Sequence, residues 1–180
     1  MKKEIFQRIE IPEGIDATIK DHEVLLKGPE GENKRTFKLG KVSLENKDGK
    51  IIIGSKNASK KEKKIINTIT AHIRNMIEGL QNKFEYKLKI CFSHFPMTVE
   101  IQGNDVQIKN FLGEKIPRRS KIMVGSEAKI EGDVIIVTSC DKELAGQTAA
   151  NFENATKITK RDRRVFQDGI FITNKPGREI

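Results

Sequence analysis

Hydrophobic positions follow two different periods along the first half of the chain. Between residues 9 and 53, short apolar runs such as IEIPEG, VLLKG and IIIG are separated by Gly, Pro and Asp turns, which is typical of an antiparallel meander. From Ser59 to about Leu80 the spacing becomes helical, and we expect Ser59 to be the N-cap and Gly79 to end the helix. Its inner face should consist of Ile65, Ile69, Ile73 and Met76 or Ile77.

The middle of the chain returns to a period of two, and a second helix follows later. Residues 84–92 predict a strand whose apolar face is Phe84, Tyr86, Leu88, Ile90 and Phe92. A second helix is predicted at about 142–155, capped by Asp141, with Leu144, Ala145, Ala149 and Phe152 as its inner face. Another strand, Phe166 to Ile172, follows that helix in the position that Phe84 to Ile90 takes after the first.

The second half of the chain repeats the first. Residues 19–32 align without gaps onto residues 101–114 with five identities in fourteen, and residues 48–53 match residues 131–136. This self-similarity predicts a tandem duplication. We therefore predict an α+β protein in which a small antiparallel sheet with one helix packed on it occurs twice. The predicted domains are residues 1–82 and residues 83–174, followed by an extended tail at residues 175–180.

The charge balance favours a polyanionic partner. The chain has 180 residues, 34 of them basic and 25 acidic, which gives a formal charge of +9 and a pI near 9.5. A simple solvated surface is the alternative interpretation. The N-terminal sequence MKKEIFQRIEIPEG lacks the apolar core of a signal peptide, and no run approaches the roughly 20 apolar residues of a membrane span. We expect a cytoplasmic protein with no membrane partner.

Motifs for catalysis, metals and cofactors are absent from the sequence. Cys91 and Cys140 lie in apolar runs and are predicted to be buried, reduced thiols. Cys91 and His94 form a single C-x-x-H pair without the second pair that a structural zinc site needs. Phosphate-binding glycine loops and hydrolase signatures are also missing. We predict no enzyme, no cofactor and no small-molecule substrate; an enzyme acting on an acidic substrate would require a pocket of perturbed titratable groups.

Basic residues are distributed differently in the two repeats. The first repeat has lysines between Lys56 and Lys64 at the start of its helix, whereas the second concentrates arginine-rich clusters near Pro117 and before Phe166. Arginine suits bidentate phosphate contacts, and the few aromatics favour recognition of folded RNA over single strands. The candidate RNA-binding residues are Lys109, Lys115, Arg118, Arg119, Lys121, Lys157, Lys160, Arg161, Arg163, Arg164, Lys175 and Arg178.

Three segments resemble a known family. RDRRVFQDGIFITNK at residues 161–175 resembles the signature of the archaeal and eukaryotic branch of the large-ribosomal-subunit protein "L-six" family. SHFPMTV at residues 93–99 and NFLGEKIPRR at residues 110–119 are similar to further motifs of that family. Two positions depart from its pattern: Asn154 stands where Gln is usual, and Phe171 where Tyr is usual. Neither change removes a cation.

The resemblance implies a non-enzymatic protein that binds large-subunit ribosomal RNA. It further implies binding chiefly through the second domain, near the sarcin-ricin region where translation factors dock. The implied partners are this RNA and neighbouring large-subunit ribosomal proteins, and the implied location is the cytoplasmic ribosome. A free regulatory nucleic-acid-binding module, not resident in the ribosome, is the alternative.

Overall fold

A computed structural model describes residues 3–47 and 49–180, so Asp48, which begins one of the repeated blocks, lies outside the described residues. The chain divides into two compact units, Met1–Lys83 and Phe84–Ile180. All strand pairs described below are antiparallel. Together with two helices they confirm the predicted α+β class.

The described residues of the first unit form two three-stranded sheets and one helix. Its strands are β1 (Lys3–Glu10), β2 (Asp16–Lys20), β3 (Glu23–Gly28), β4 (Gly31–Thr36), β5 (Ser43–Lys47) and β6 (Lys50–Ala58), and its helix is α1 (Lys60–Gln81). One sheet has the order β1-β6-β5 and the other the order β2-β3-β4. Two small sheets thus stand where the sequence pattern suggested one, and β3 contributes its own buried face, Val24 and Leu26, to the core that α1 covers.

Helix α1 begins as predicted and ends later. Ser59 caps it in a capping box with Glu62, whose carboxylate accepts a hydrogen bond from the Ser59 backbone N–H at 2.9 Å. Gly79 does not end the helix. The buried face of α1 extends to Leu80, which is fully buried, and this packing stabilises the helix as far as Gln81. Ile66 is fully buried where the sequence pattern favoured Ile65, which is only half-buried.

The second unit has eight strands and one α-helix. These are β7 (Phe84–Cys91), β8 (Thr98–Gln102), β9 (Asp105–Lys109), β10 (Arg118–Lys121), β11 (Glu127–Glu131), β12 (Val134–Ser139), α2 (Lys142–Ala155), β13 (Gly169–Lys175) and β14 (Arg178–Glu179). A short 3-10 turn, Phe111–Gly113, follows β9. The sheets have the orders β10-β9-β8 and β11-β12-β7-β13-β14.

The two units share a pattern of strand pairing, and in this pattern β7 of the second unit corresponds to β1 of the first. β7 pairs with β12 as β1 pairs with β6, while β8 and β9 correspond to β2 and β3 at the sequence offset of 82. The predicted equivalence of Phe166 to Ile172 with Phe84 to Ile90 was therefore wrong. β13 pairs with the other edge of β7, and neither β13 nor β14 has a counterpart among the described residues of the first unit.

Two segments near the end of the chain differ from their predictions. The strand starts at Gly169 rather than Phe166, because residues 162–166 form a turn in which the Phe166 N–H donates to the Asp162 carbonyl at 2.9 Å. The expected extended tail turns back at Gly177, whose φ of +76° suits a tight turn. β14 then pairs with β13.

Helix α2 packs the core of the second unit. Asp141 caps it as predicted by accepting a hydrogen bond from the Glu143 N–H at 2.8 Å. Ala145, Ala149 and Phe152 are fully buried. Leu144 is half-buried, and Thr148 takes a fully buried position because its hydroxyl accepts from the Met123 N–H at 3.2 Å.

Both cysteines are half-buried thiols rather than fully buried ones. Neither α1 nor α2 is long and apolar enough to cross a membrane, and the part of the chain that the structure describes contains no other α-helix.

Candidate nucleic-acid interface

Three loops of the second unit meet on one surface, which we call the loop face. They are residues 92–97 after β7, residues 110–119, which include the 3-10 turn and the start of β10, and residues 156–168 between α2 and β13. The Asn110 side-chain amide donates to the Pro96 carbonyl at 2.9 Å, which joins the first loop to the second. The three motifs that are separated in the sequence thus come together in the fold.

Asp168 ties the third loop to the first. Its side chain is 3% exposed, and its Oδ1 accepts from the backbone N–H groups of Ser93 at 2.7 Å and His94 at 3.0 Å. The second carboxylate oxygen lies 2.6 Å from His94 Nδ1. Burial raises the pKa of Asp168, but these hydrogen bonds, donated by His94 and Ser93, outweigh burial and lower the pKa to about 2. The carboxylate therefore remains charged across the physiological range.

Phe166 connects this anchor to a cation. The His94 ring stacks on the Phe166 ring with centroids 4.7 Å apart and planes at 20°. The Arg161 guanidinium carbon lies 4.8 Å from the same ring centroid, within the range of a cation–π contact. Arg161 is exposed, so its charge is oriented by a ring while it still faces solvent.

Arg118 holds the second loop against the end of α2. It makes a bidentate pair with Glu114, from Nε at 2.8 Å and from Nη2 at 2.7 Å, and Nη1 donates to the Ala155 carbonyl at 2.9 Å. Its guanidinium lies 4.2 Å from the centroid of the buried Phe111 ring. The pKa of Glu114 is lowered, chiefly by the hydrogen bond from Arg118. Arg118 therefore positions the loop face through internal contacts.

The start of β13 is fixed behind the loop face by Gly169 and Thr156. Thr156 is buried, and its hydroxyl accepts from the Ile170 N–H at 2.9 Å. Gly169 has a φ of +152°, and a Cβ at this position would lie 3.2 Å from the Phe171 ring and 3.3 Å from Thr156 Oγ1. The aspartate and glycine of the Asp-Gly pair thus have separate structural roles.

The predicted cations near this anchor are exposed. None of the following forms a salt bridge within the part of the chain that the structure describes: Lys115, Arg119, Lys121, Lys157, Lys160, Arg161 and Arg163. Arg164, with a side chain 90% exposed, makes a bidentate contact with Asp162. Arg119 and Lys121 line a shallow groove beside the end of α2, next to the loop face.

Three predicted cations lie away from these loops or have another contact. Lys109 forms a 2.7 Å salt bridge to Glu100 across the β8–β9 pair. Lys175 and Arg178 pair at the β13–β14 hairpin, and the steps from the first to the last residue of β13, at ~3.3 Å each, separate that end of the strand from the loop face by about 20 Å. They cannot contact the same phosphate as Arg161.

Sequence reasoning missed the apolar part of the loop face. Phe92, Phe95 and Val165 are 45%, 47% and 61% exposed. The strand alternation placed Phe92 inward, but β7 ends at Cys91 because the next residues turn to bind Asp168. The sequence suggested His94 only as a possible metal ligand together with Cys91, whereas in the structure its Nδ1 faces Asp168. In residues 3–47 and 49–180, no group of three or more His, Cys, Asp or Glu residues could hold a metal ion.

The fold and the loop face define a class: a duplicated α+β protein whose second unit carries a basic surface built from loops. A sequence profile of the family described as Ribosomal protein L6 matches residues 11–83 and 95–169, one segment in each unit. The chain belongs to the ribosomal protein L6 family. This membership confirms the predicted resemblance and the prediction of a structural, non-enzymatic protein.

Curated relatives cover almost the whole chain. A protein of Methanobrevibacter smithii named "Large ribosomal subunit protein uL6" is 45% identical over 95% of this chain and 96% of its own length. Proteins with the same name from Methanosarcina mazei and Archaeoglobus fulgidus are 41% and 44% identical, over 97% and 93% of this chain and 99% and 88% of their own lengths.

Proposed function

We propose that this protein is a constituent of the large ribosomal subunit in the cytoplasm and binds large-subunit ribosomal RNA through the loop face. The single observation that carries the proposal is the convergence of exposed cations from two loops around the internal anchors Asp168 and Arg118. The names of the archaeal relatives support the assignment to the large ribosomal subunit. Neighbouring ribosomal proteins are the other proposed partners.

The cations divide into three proposed roles. Those on or beside the loop face contact phosphates directly: Lys115, Arg119, Lys121, Lys157, Lys160, Arg161, Arg163 and Arg164. Arg118 orients the loops, because its guanidinium already binds Glu114 and the Ala155 carbonyl. Lys109, Lys175 and Arg178 contact RNA only where it extends beyond this surface.

Anchored loops reduce the entropy that is lost on binding. Flexible arginine and lysine side chains lose rotamer freedom when they contact phosphate, and a loop that is already ordered adds little further cost. Asp168 and Arg118 supply that order from within the protein. We propose the second unit as the main RNA-binding domain for this reason, and the sarcin-ricin region, where translation factors dock, as the place of binding.

The test measures how binding depends on salt. We would titrate the full chain onto in vitro transcribed large-subunit RNA of Methanobrevibacter smithii between ~50 and ~300 mM KCl. The slope of log K against log salt is negative, and each neutralised phosphate increases its magnitude by about 0.7–0.9. The triple variant Arg161→Gln, Arg163→Gln, Arg164→Gln should reduce that magnitude by about 2 and weaken binding.

A matched triple variant provides the control. Lys60→Gln, Lys63→Gln, Lys64→Gln removes the same charge from exposed positions of α1 in the first unit and should leave most of the slope intact. If both triple variants reduced the magnitude of the slope equally, binding would depend on net charge and the loop face would not be the site. Binding that did not respond to salt would also contradict the proposal.

Two further measurements address location. Base-reactive footprinting on the same RNA should protect nucleotides of the sarcin-ricin region; protection elsewhere would contradict that placement. The tagged protein should sediment with large subunits after a moderate salt wash, whereas its release into the soluble fraction would favour a free regulatory module.

A further inference from the structure

We infer that a groove in the loop face holds one unpaired nucleotide of the bound RNA, with its base against the apolar part of the lining and its phosphate at the rim. The groove has a volume of about 760 Å³ and lies between the end of β7, the end of α2 and the third loop. This inference rests on the proposed RNA binding and adds a mode of recognition to it.

Part of the groove lining is apolar and open to solvent. Phe92 is 45% exposed and Val165 is 61% exposed, and both line the groove with the half-buried Phe171. Aromatic faces stack on bases of any identity, and exposed apolar side chains gathered in a concave site favour a ligand that removes them from water. The volume falls within the ~300–1,000 Å³ of typical small-ligand sites.

The rim carries charge of the sign that a nucleotide requires. Lys157 and Arg163 line the groove, are exposed, and form no salt bridge among the described residues. The side-chain amides of Asn154 and Gln167 line it too and can donate to or accept from the edge of a base. The apolar side chains suit the base of a nucleotide, and the two cations suit its phosphate. The two amides can bind the edge of the base.

Glu153 gives the groove a direction. Its carboxylate is part of the lining and half-buried, so a phosphate cannot sit beside it without repulsion. A carboxylate accepts hydrogen bonds from the exocyclic amines of bases. We therefore expect the base to point toward Glu153 and the phosphate toward Arg163.

A paired duplex cannot fill this groove, because the faces of its bases are stacked on one another and only the backbone and the base edges are accessible. The ligand must be a bulged or loop nucleotide that already lies outside the stack, or one for which unstacking is inexpensive. A peptide segment of a neighbouring protein could cover the apolar part of the lining, but it would leave Lys157 and Arg163 without anionic partners.

Phe92→Ala and Phe95→Ala form a matched pair for the test. Both phenylalanines lie in the first loop with similar exposure, and only Phe92 lines the groove. We would probe the large-subunit RNA of Methanobrevibacter smithii with dimethyl sulfate, kethoxal and carbodiimide, with and without each protein. The wild type and Phe95→Ala should protect one base that Phe92→Ala leaves reactive.

Measurements of affinity and of its salt dependence distinguish a failure of the nucleotide site from a failure of the proposed RNA binding. Phe92→Ala should bind about tenfold more weakly with an unchanged salt slope, because its phosphate contacts remain. A second variant, Val165→Asp, places a negative charge in the groove and should also abolish the protection of that base. If wild-type binding is salt-dependent but no single base changes between wild type and Phe92→Ala, the nucleotide site is refuted and the RNA interface stands. Absence of wild-type binding would refute both.

The occupant in the assembled subunit can be identified by crosslinking. A photoreactive benzophenone amino acid in place of Phe92 should crosslink to a single nucleotide when the protein is incorporated into large subunits. A crosslink to a ribosomal protein would show that a peptide covers the groove and would overturn the inference.

Discussion

Replacing Asp168 by Asn should make the second unit less stable at neutral pH and remove part of its pH dependence. A pKa lowered from 3.8 to about 2 corresponds to roughly 2 kcal/mol of stabilisation, at ~1.36 kcal/mol per tenfold change in proton affinity. The His94 side chain is 33% exposed, so water screens part of this interaction. We expect a loss of about 1–2 kcal/mol at pH 6–7.

The direction of the pH effect follows from the lowered pKa. A carboxylate whose pKa is lower in the folded than in the unfolded chain stabilises the fold above the unfolded value of 3.8, and this contribution disappears as the pH falls toward 2. The difference between wild type and Asp168→Asn should therefore be constant above pH ~5. It should fall to less than half of that value by pH 2.5.

Tyr86 provides the measurement. It is the only tyrosine, the chain has no tryptophan, and Tyr86 lies buried in the core of the second unit. Its fluorescence during urea unfolding thus reports on the unit that contains Asp168. Asp162→Asn is the control, because Asp162 lies in the same loop and is exposed; it should change the stability little at any pH. A difference for Asp168→Asn that stayed constant from pH 7 to pH 2.5 would refute the reasoning.

Two further substitutions test the other supports of the loop face, with Tyr86 fluorescence again as the measurement. Arg118→Lys keeps the charge but loses the planar guanidinium that binds Glu114 and Ala155 together, so it should lower the free energy of unfolding by about 1–2 kcal/mol. Arg119→Lys, at an exposed position, should lower it little. Equal losses of stability would contradict the structural role of Arg118. Gly169→Ala should cost about 1–3 kcal/mol through its φ of +152° and its 3.2 Å approach to Phe171. Gly177→Ala, which has a φ of +76° and no atom within 4 Å of its Cβ, should cost less, and the reverse order would be inconsistent with crowding.

Local chemistry made several elements predictable from the sequence. The caps at Ser59 and Asp141 and the helical spacing of Ile69 and Ile73 are determined by neighbours in the chain. These features required no knowledge of distant contacts. The α+β class followed from the change of period between strands and helices.

Long-range contacts decided what could not be predicted. Phe92 continues an apolar alternation, yet the chain leaves the sheet before it because Asp168, more than 70 residues away, binds the next two backbone N–H groups. Arg118 stands in a basic motif, but only the fold brings the Ala155 carbonyl and Glu114 to its guanidinium. Charge patterns in a sequence do not distinguish a cation that faces solvent from one that binds the protein itself.

The strand that the second unit adds has a consequence for incomplete chains. β13 covers one edge of β7, and an uncovered, apolar strand edge is a template for pairing with other molecules. A chain truncated before Gly169 would lose part of its core, including Ile170, and would expose that edge during synthesis or after proteolysis. Such fragments should aggregate and be degraded instead of accumulating as soluble competitors of the full-length protein.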